Sequence, residues 1–200
     1  DSVFLGQVLQ AGCGQNPARQ TAINSGIKED KTATTINQVC GSGLAAISLG
    51  FNSLKLKDSK IVIAGGQESM TNAPHYLHYR LDKNFSEEKL KDTMLVDGLI
   101  DAYNDYHMGI TAENVAEKYQ ITRSDQDKFS INSQKKSVKA IENNKFKEEI
   151  VPIKLRNQKV FDKDEYKNKS KTRKSDNFVV SFDISDADWD DFPAQVTDAI

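Results

Sequence analysis

Long apolar runs are missing from this chain of 200 residues, and so are cysteines beyond Cys13 and Cys40 and any clear excess of one charge. No stretch approaches the roughly twenty apolar residues that a membrane-spanning helix requires, so no membrane contact is expected. The opening Asp1, Ser2 and Val3 lack the basic segment and apolar stretch of an export signal. Two cysteines cannot staple a multi-bridge scaffold, and without an export signal they are expected to be reduced thiols in a cytoplasmic setting. A net charge of −2 gives no overall pull toward nucleic acid or anionic membrane. What is present is 38% hydrophobic and 28% charged residues, enough for one large core or two small ones. A first residue other than Met points to an absent N-terminal piece.

The most informative stretch is 36–46, Ile-Asn-Gln-Val-Cys-Gly-Ser-Gly-Leu-Ala-Ala. An extended run over 34–39 leads into Cys40. After the Gly41-Ser42-Gly43 turn, Leu44, Ile47, Phe51 and Leu54 recur at helical spacing and predict a helix with an apolar stripe. Cys40 then stands where a strand ends and a helix begins. Unpaired backbone N–H groups and the positive end of the helix dipole stabilise a thiolate at such a junction. Glycines on both sides of Ser42 let a substrate carbonyl approach the backbone without meeting a Cβ. The arrangement is a cysteine version of a nucleophile elbow. On the residues alone, a small buried structural cysteine remains the alternative.

Around this stretch the chain alternates strand and helix, a layered α/β pattern. Val3, Leu5 and Val8 read as a strand ended by Gly12 and Gly14. Asn16-Pro17 starts a helix with Ala18, Ala22 and Ile23 on one side, stopping at Gly26. Ile61, Val62 and Ile63, within 60–64, form an apolar run typical of a strand buried on both faces. From Pro74 the texture becomes aromatic and charged without a clear period. His75 and His78 stand three apart, but no third ligand type accompanies them, so no metal site is expected. Further on, Thr111 can cap a helix with Ala112, Val115, Ala116 and Tyr119 on its apolar side, and His107-Met108 just before it reads as a packing pair. Thr122 to Asp125 is a second capping sequence, opening a helix with Phe129, Val138 and Ile141 on one side and ending at Asn143-Asn144. An extended segment interrupted by Pro152 is expected over 148–155.

Asn-Gln-Val-Cys-Gly-Ser-Gly-Leu, followed from Ala64 by Ala-Gly-Gly-Gln-Glu-Ser-Met-Thr-Asn-Ala-Pro, resembles the nucleophile region of the thiolases, more closely their acetyl-CoA acetyltransferase branch. Further similarity runs through Gln-Ala-Gly-Cys-Gly-Gln-Asn-Pro-Ala-Arg-Gln at 10–20 and Tyr-His-Met-Gly at 106–109, and covers about 1–166. The resemblance implies an incomplete thiolase-like layered α/β/α core with an inserted α+β loop lobe. Residues 1–70 would belong to the core and 71–166 to the lobe that serves oligomerisation and the coenzyme A pocket. It implies that Cys40 takes an acetyl group from acetyl-CoA and passes it to a second acetyl-CoA, giving acetoacetyl-CoA, or runs the reverse thiolysis. It further implies that Leu99, His107 and Met108 line the coenzyme A and acyl site, and that the aromatic–His–Met form selects a short acyl group. Coenzyme A thioesters would be substrates, with no cofactor, and the full-length protein a homodimer or homotetramer. Residues 67–72 and 10–20 would be structural in such a protein.

The family's base His, second Cys and orienting Asn belong to a C-terminal half that these residues do not contain, so the chain alone is expected to be at most weakly acylated. Beyond Tyr166 the resemblance stops. The basic run at 167–174 and the acidic stretch at 183–191 around Trp189 read as a divergent, solvated tail. Two alternatives stay open: a related condensing enzyme of the ketoacyl synthase type, and a non-catalytic acyl-CoA-binding or interaction fragment.

Overall fold

Three short segments of β-branched and small residues make a parallel sheet: β1 (Ser2–Gly6), β2 (Thr32–Ile36) and β3 (Val62–Gly66), in the spatial order β2-β1-β3. The computed structural model describes residues 1–162 except 81, 82, 85, 156 and 157, so the charged tail and the last residues of the family resemblance lie outside the described residues. In register, Phe4 stands between Thr34 and Ala64, and Gly6 between Ile36 and Gly66. Two compact units are present, Asp1–Met108 and Gly109–Ile200.

Helices α1 (Pro17–Asn24) and α2 (Ser42–Lys55) cover opposite faces of the sheet, as the alternation of strand side chains requires. Thr35, on the odd-numbered face of the register, accepts a hydrogen bond from Ala18 N–H at 3.0 Å and so ties α1 to that side. Phe4, Val62 and Ala64, on the even-numbered face, lie against Gly50 of α2. The result is a layered α/β/α arrangement. Asn16 caps α1 as the Asn-Pro pair predicts, with its Oδ1 accepting from Arg19 N–H at 3.2 Å. Its Nδ2 also donates to Ala33 O, binding the cap to β2. Gly26 follows the helix at φ +82°, the left-handed position that favours glycine.

Several boundaries and faces differ from the expectation. β1 ends at Gly6, well before Gly12; Gln7 N–H makes the last bond to β2, donating to Ile36 O at 2.9 Å, while its side chain joins Leu9 and Gln67. On α1, Pro17, Ala18 and Ala22 are buried, whereas Ile23 lies outward. β3 begins at Val62, and Ile61 and Ile63 are exposed, the strand pairing on one side only among the described residues. The helix predicted after Cys40 is present as α2, with a face that spacing alone does not reveal. Its buried face is Ser42, Ala46 and Gly50, and the apolar stripe points outward, Leu44 being 63% and Phe51 57% exposed. Small residues won the sheet-facing side because the helix approaches too closely for a leucine: even a Cβ at Gly50 would stand 2.9 Å from Val62 Cγ1.

After β3, Gln67 and Glu68 tie the chain back to the end of β1. Gln67 N–H donates to Gly6 O at 2.9 Å, and its amide bridges Gln7 and Thr21. The Glu68 carboxylate accepts the N–H groups of Val8 and Leu9 at 2.9 and 3.2 Å. Beyond Pro74 the chain makes the small antiparallel pair β4 (His75–Tyr76) and β5 (Lys91–Asp92), then a π-helical turn at Leu95–Leu99. His75 is thus on a strand, and no group of three metal-ligating side chains occurs among the described residues.

In the second unit α3 (Met108–Lys118) starts three residues before Thr111, which falls inside the helix instead of capping it. Helix α4 (Arg123–Glu142) opens with the expected capping box and stops at Asn143, with Asn144 at φ +55°. Val138 and Ile141 are half-buried, but Phe129 is exposed. The predicted extended segment at 148–155 contracts to β6 (Ile153–Lys154), paired with β7 (Val160–Phe161); Pro152 provides no N–H for a longer ladder.

Three outcomes are expected. A Cβ at Gly6 would meet Ser42 and Gly43 backbone atoms at 2.6 and 2.7 Å, so Gly6→Ala should cost about 1–3 kcal/mol in denaturant unfolding. Gly43→Ala, whose Cβ meets nothing within 4 Å, should leave stability unchanged or slightly higher. The hydroxyl of Thr122 holds the Asp125 carboxyl below the ordinary carboxylate range, helped by the Thr122 N–H and by Lys128. A lowered folded value means that this contribution is complete above the ordinary carboxylate range and is lost as pH falls through the lowered value. Acid titration followed by circular dichroism should therefore show α4 helicity falling on the acid side, with the Asp125-linked part of the fall absent in Asp125→Asn.

Candidate active site

Cys40 lies in an irregular turn between two regular elements. β2 stops at Ile36 and α2 starts at Ser42, so Cys40 stands four residues after the strand and two before the helix, not directly on the strand end. Its thiol is exposed. The turn around it is held by short-range polar contacts. Asn37 Oδ1 accepts Val39 N–H at 3.0 Å, and Gly41 N–H donates to Gln38 O at 3.0 Å. The Ser42 hydroxyl accepts Gln38 N–H at 2.9 Å and donates to Val39 O at 2.5 Å. Within this clamp Val39 has φ +48°, a left-handed conformation that costs a β-branched residue about 1–2 kcal/mol.

The start of α2 is seated directly on the C-terminal ends of β1 and β3. Gly6 lies beneath Ser42 and Gly43, and Gly66 lies beside Gly43 Cα. Gly41 occupies the cap position with no side-chain bond, and Ser42 N–H is engaged by Val39 O at 3.1 Å. The N–H groups of Gly43 and Leu44 have no protein acceptor among the described residues. A first helical turn of this kind offers backbone donors and a positive dipole end within a few residues of an exposed sulfur. Chemically, that combination can stabilise the oxyanion of a thioester under attack.

Leu99, His107 and Met108 are brought together by a separate device. Leu99 closes the π-helical turn, and the next residue, Ile100, forms an antiparallel bridge with His107. Between them Asp101 folds the loop back on itself. Its Oδ2 accepts Tyr103 N–H at 3.2 Å, Asn104 N–H at 2.7 Å and Asn104 Nδ2 at 2.8 Å, while its N–H donates to Tyr106 O at 2.8 Å. His107 is exposed and Met108, the first residue of α3, is half-buried, as is Leu99. Sequence reasoning gave no weight to Asn37 and Asp101 and treated Ser42 only as a spacer. The available signal was an Asx residue two or three positions before a backbone N–H that needs an acceptor.

A family model described as "Thiolase, N-terminal domain" matches residues 1–175. The acetyl-CoA acetyltransferase of Rhizobium meliloti (strain 1021) is 50% identical over 169 residues, which is 83% of this chain and 43% of that protein. An acetyl-CoA acetyltransferase of Cupriavidus necator is 56% identical over 152 residues, 76% of this chain and 39% of the other. Among solved structures, the Acat5 thiolase from Ascaris suum, crystallised in complex with coenzyme A, superposes with a TM-score of 0.76 at 34% identity, over 84% of this chain and 43% of that one. The chain therefore spans about two-fifths of the length of the relatives it matches.

Asp101 is the residue on which the Leu99–Met108 grouping depends. Asp101→Ala leaves three donors without their carboxylate, and backbone amides at 103 and 104 should exchange with deuterium about tenfold faster or more, read by hydrogen-exchange mass spectrometry.

Proposed function

The chain belongs to the thiolase family, and from that premise we propose that it forms part of an acetyl-CoA C-acetyltransferase whose nucleophile is Cys40. The Cys40 thiolate attacks the carbonyl carbon of acetyl-CoA, an S–C bond forms, and the bond to coenzyme A sulfur breaks, releasing the thiol form once it takes a proton. The resulting S-acetyl group is attacked by the deprotonated methyl carbon of a second acetyl-CoA. Acetoacetyl-CoA leaves and Cys40 is returned; the reverse direction is thiolysis. Support comes from one observation above all, the exposed sulfur beside a helix start whose first-turn N–H groups at Gly43 and Leu44 have no protein acceptor among the described residues. Those donors suit the negative charge that develops on the thioester oxygen.

Leu99, His107 and Met108 are the residues we assign to the coenzyme A and acyl pocket, a reading that the Ile100–His107 bridge supports by keeping them adjacent. Residues 1–70 are read as part of the catalytic core, 71–166 as the loop lobe and 167–200 as a divergent tail. Acyl-CoA thioesters are substrates and no metal or prosthetic group is called for. The whole protein is read as a cytoplasmic homodimer or homotetramer whose product feeds lipid metabolism; no helix among the described residues is long and apolar enough to cross a membrane. Proton transfer and oxyanion orientation fall to the His, Cys and Asn that the family resemblance assigns to a C-terminal half.

Incubation with acetyl-CoA followed by intact-mass and peptide analysis tests this reading. An acetyl adduct on Cys40, lost in Cys40→Ser and retained when Cys13 is replaced by Ser, is the expected result. Acylation confined to Cys13, or no adduct together with no coenzyme A binding, would remove Cys40 from the role and favour a non-catalytic fragment.

A further inference from the structure

We propose that Ser42 is a positioning residue for Cys40: its hydroxyl clamps Val39 in the left-handed conformation that decides where the thiol is presented. The inference rests on the reading of Cys40 as nucleophile, but it is carried by the geometry of the turn. Ser42 is only 5% exposed, and its Oγ bonds backward to Gln38 N–H and Val39 O. A serine that caps a helix does the opposite, accepting from N–H groups two or three residues ahead. Here the cap position belongs to Gly41, which makes no side-chain bond, so the hydroxyl of Ser42 serves the turn before the helix.

Val39 is the part of the turn that needs holding. A β-branched residue at positive φ persists only where its surroundings over-determine it. Both of its backbone polar groups are tied: the N–H to Asn37 Oδ1, the carbonyl to the Ser42 hydroxyl and the Ser42 N–H. The clamp is itself anchored, because Ser42 sits against Gly6 at the end of β1. The Cys40 thiol, by contrast, makes no hydrogen bond to the described residues, so its position follows from the backbone of Val39 and Gly41 on either side.

The test uses iodoacetamide on the full chain, which reports thiolate reactivity without coenzyme A; sulfur displaces iodide and is alkylated. Cys13, also exposed, supplies an internal standard on the same molecule. Ser42→Ala should slow Cys40 relative to Cys13 by about tenfold across the neutral pH range, since small displacements of a reacting group carry costs of this order or larger. The double variant Val39→Gly with Ser42→Ala should recover to within about twofold of the parent, because glycine adopts positive φ without the clamp. An unchanged Cys40 to Cys13 ratio in Ser42→Ala, with only a lower melting midpoint, would overturn the proposal as a purely structural effect. Slowing that Val39→Gly does not repair would overturn it as well. Should Ser42→Ala fail to fold, Asn37→Ala, which removes the other side-chain bond of the same turn at an exposed residue, is read by the same criteria. If the ratio responds as expected but acetyl-CoA leaves Cys40 unmodified, the transferase reading falls and the clamp stands; acylation with an unresponsive ratio gives the converse.

Discussion

A helix end can come as close to a sheet as this one does only where the strands beneath it carry no Cβ, and that constraint organises the first unit. Gly6 and Gly66 stand side by side in register at the C-terminal ends of β1 and β3. They let the first residues of α2 descend until Ser42 is buried. This seating fixes the helix start, the helix start anchors the hydroxyl of Ser42, and the hydroxyl fixes the turn that carries Cys40. The sheet-facing side of α2 follows the same rule along its length through Ala46 and Gly50. Close approach, more than bulk hydrophobicity, therefore positions the sulfur.

The second device is electrostatic and local. Charged or amide side chains replace regular ladders wherever the chain turns: Glu68 holds Val8 and Leu9, Asn37 holds Val39, Asp101 holds Tyr103 and Asn104, and Asp125 with Thr122 opens α4. Each satisfies backbone donors that would otherwise face water or apolar surroundings unpaired. The fold's functional segments are thus short loops held by Asx and Glu carboxylates and amides, framed by a small parallel sheet.

Much of the layered fold was legible because its signals are local. Asn16-Pro17, Gly26, Thr122 with Asp125, and Asn143-Asn144 each act within a single turn, and the helices begin and end where those residues direct. What periodicity could not reveal was which face of α2 would be covered. Leu44, Ile47, Phe51 and Leu54 form a proper helical stripe, but spacing reports only that a face is apolar, not what lies against it. The same holds for Ile61 and Ile63, whose run says strand but not margin. Cys40 was found from its flanking glycines and from family resemblance; the left-handed Val39 was invisible, since valine is among the residues least expected there.

β2 and β3 each pair on one side only among the described residues, and beside the β3 margin lie the outward Ile61 and Ile63 together with the uncovered stripe of α2. A margin of free peptide groups is a template for adding another strand, and adjacent greasy surface rewards whatever adds to it.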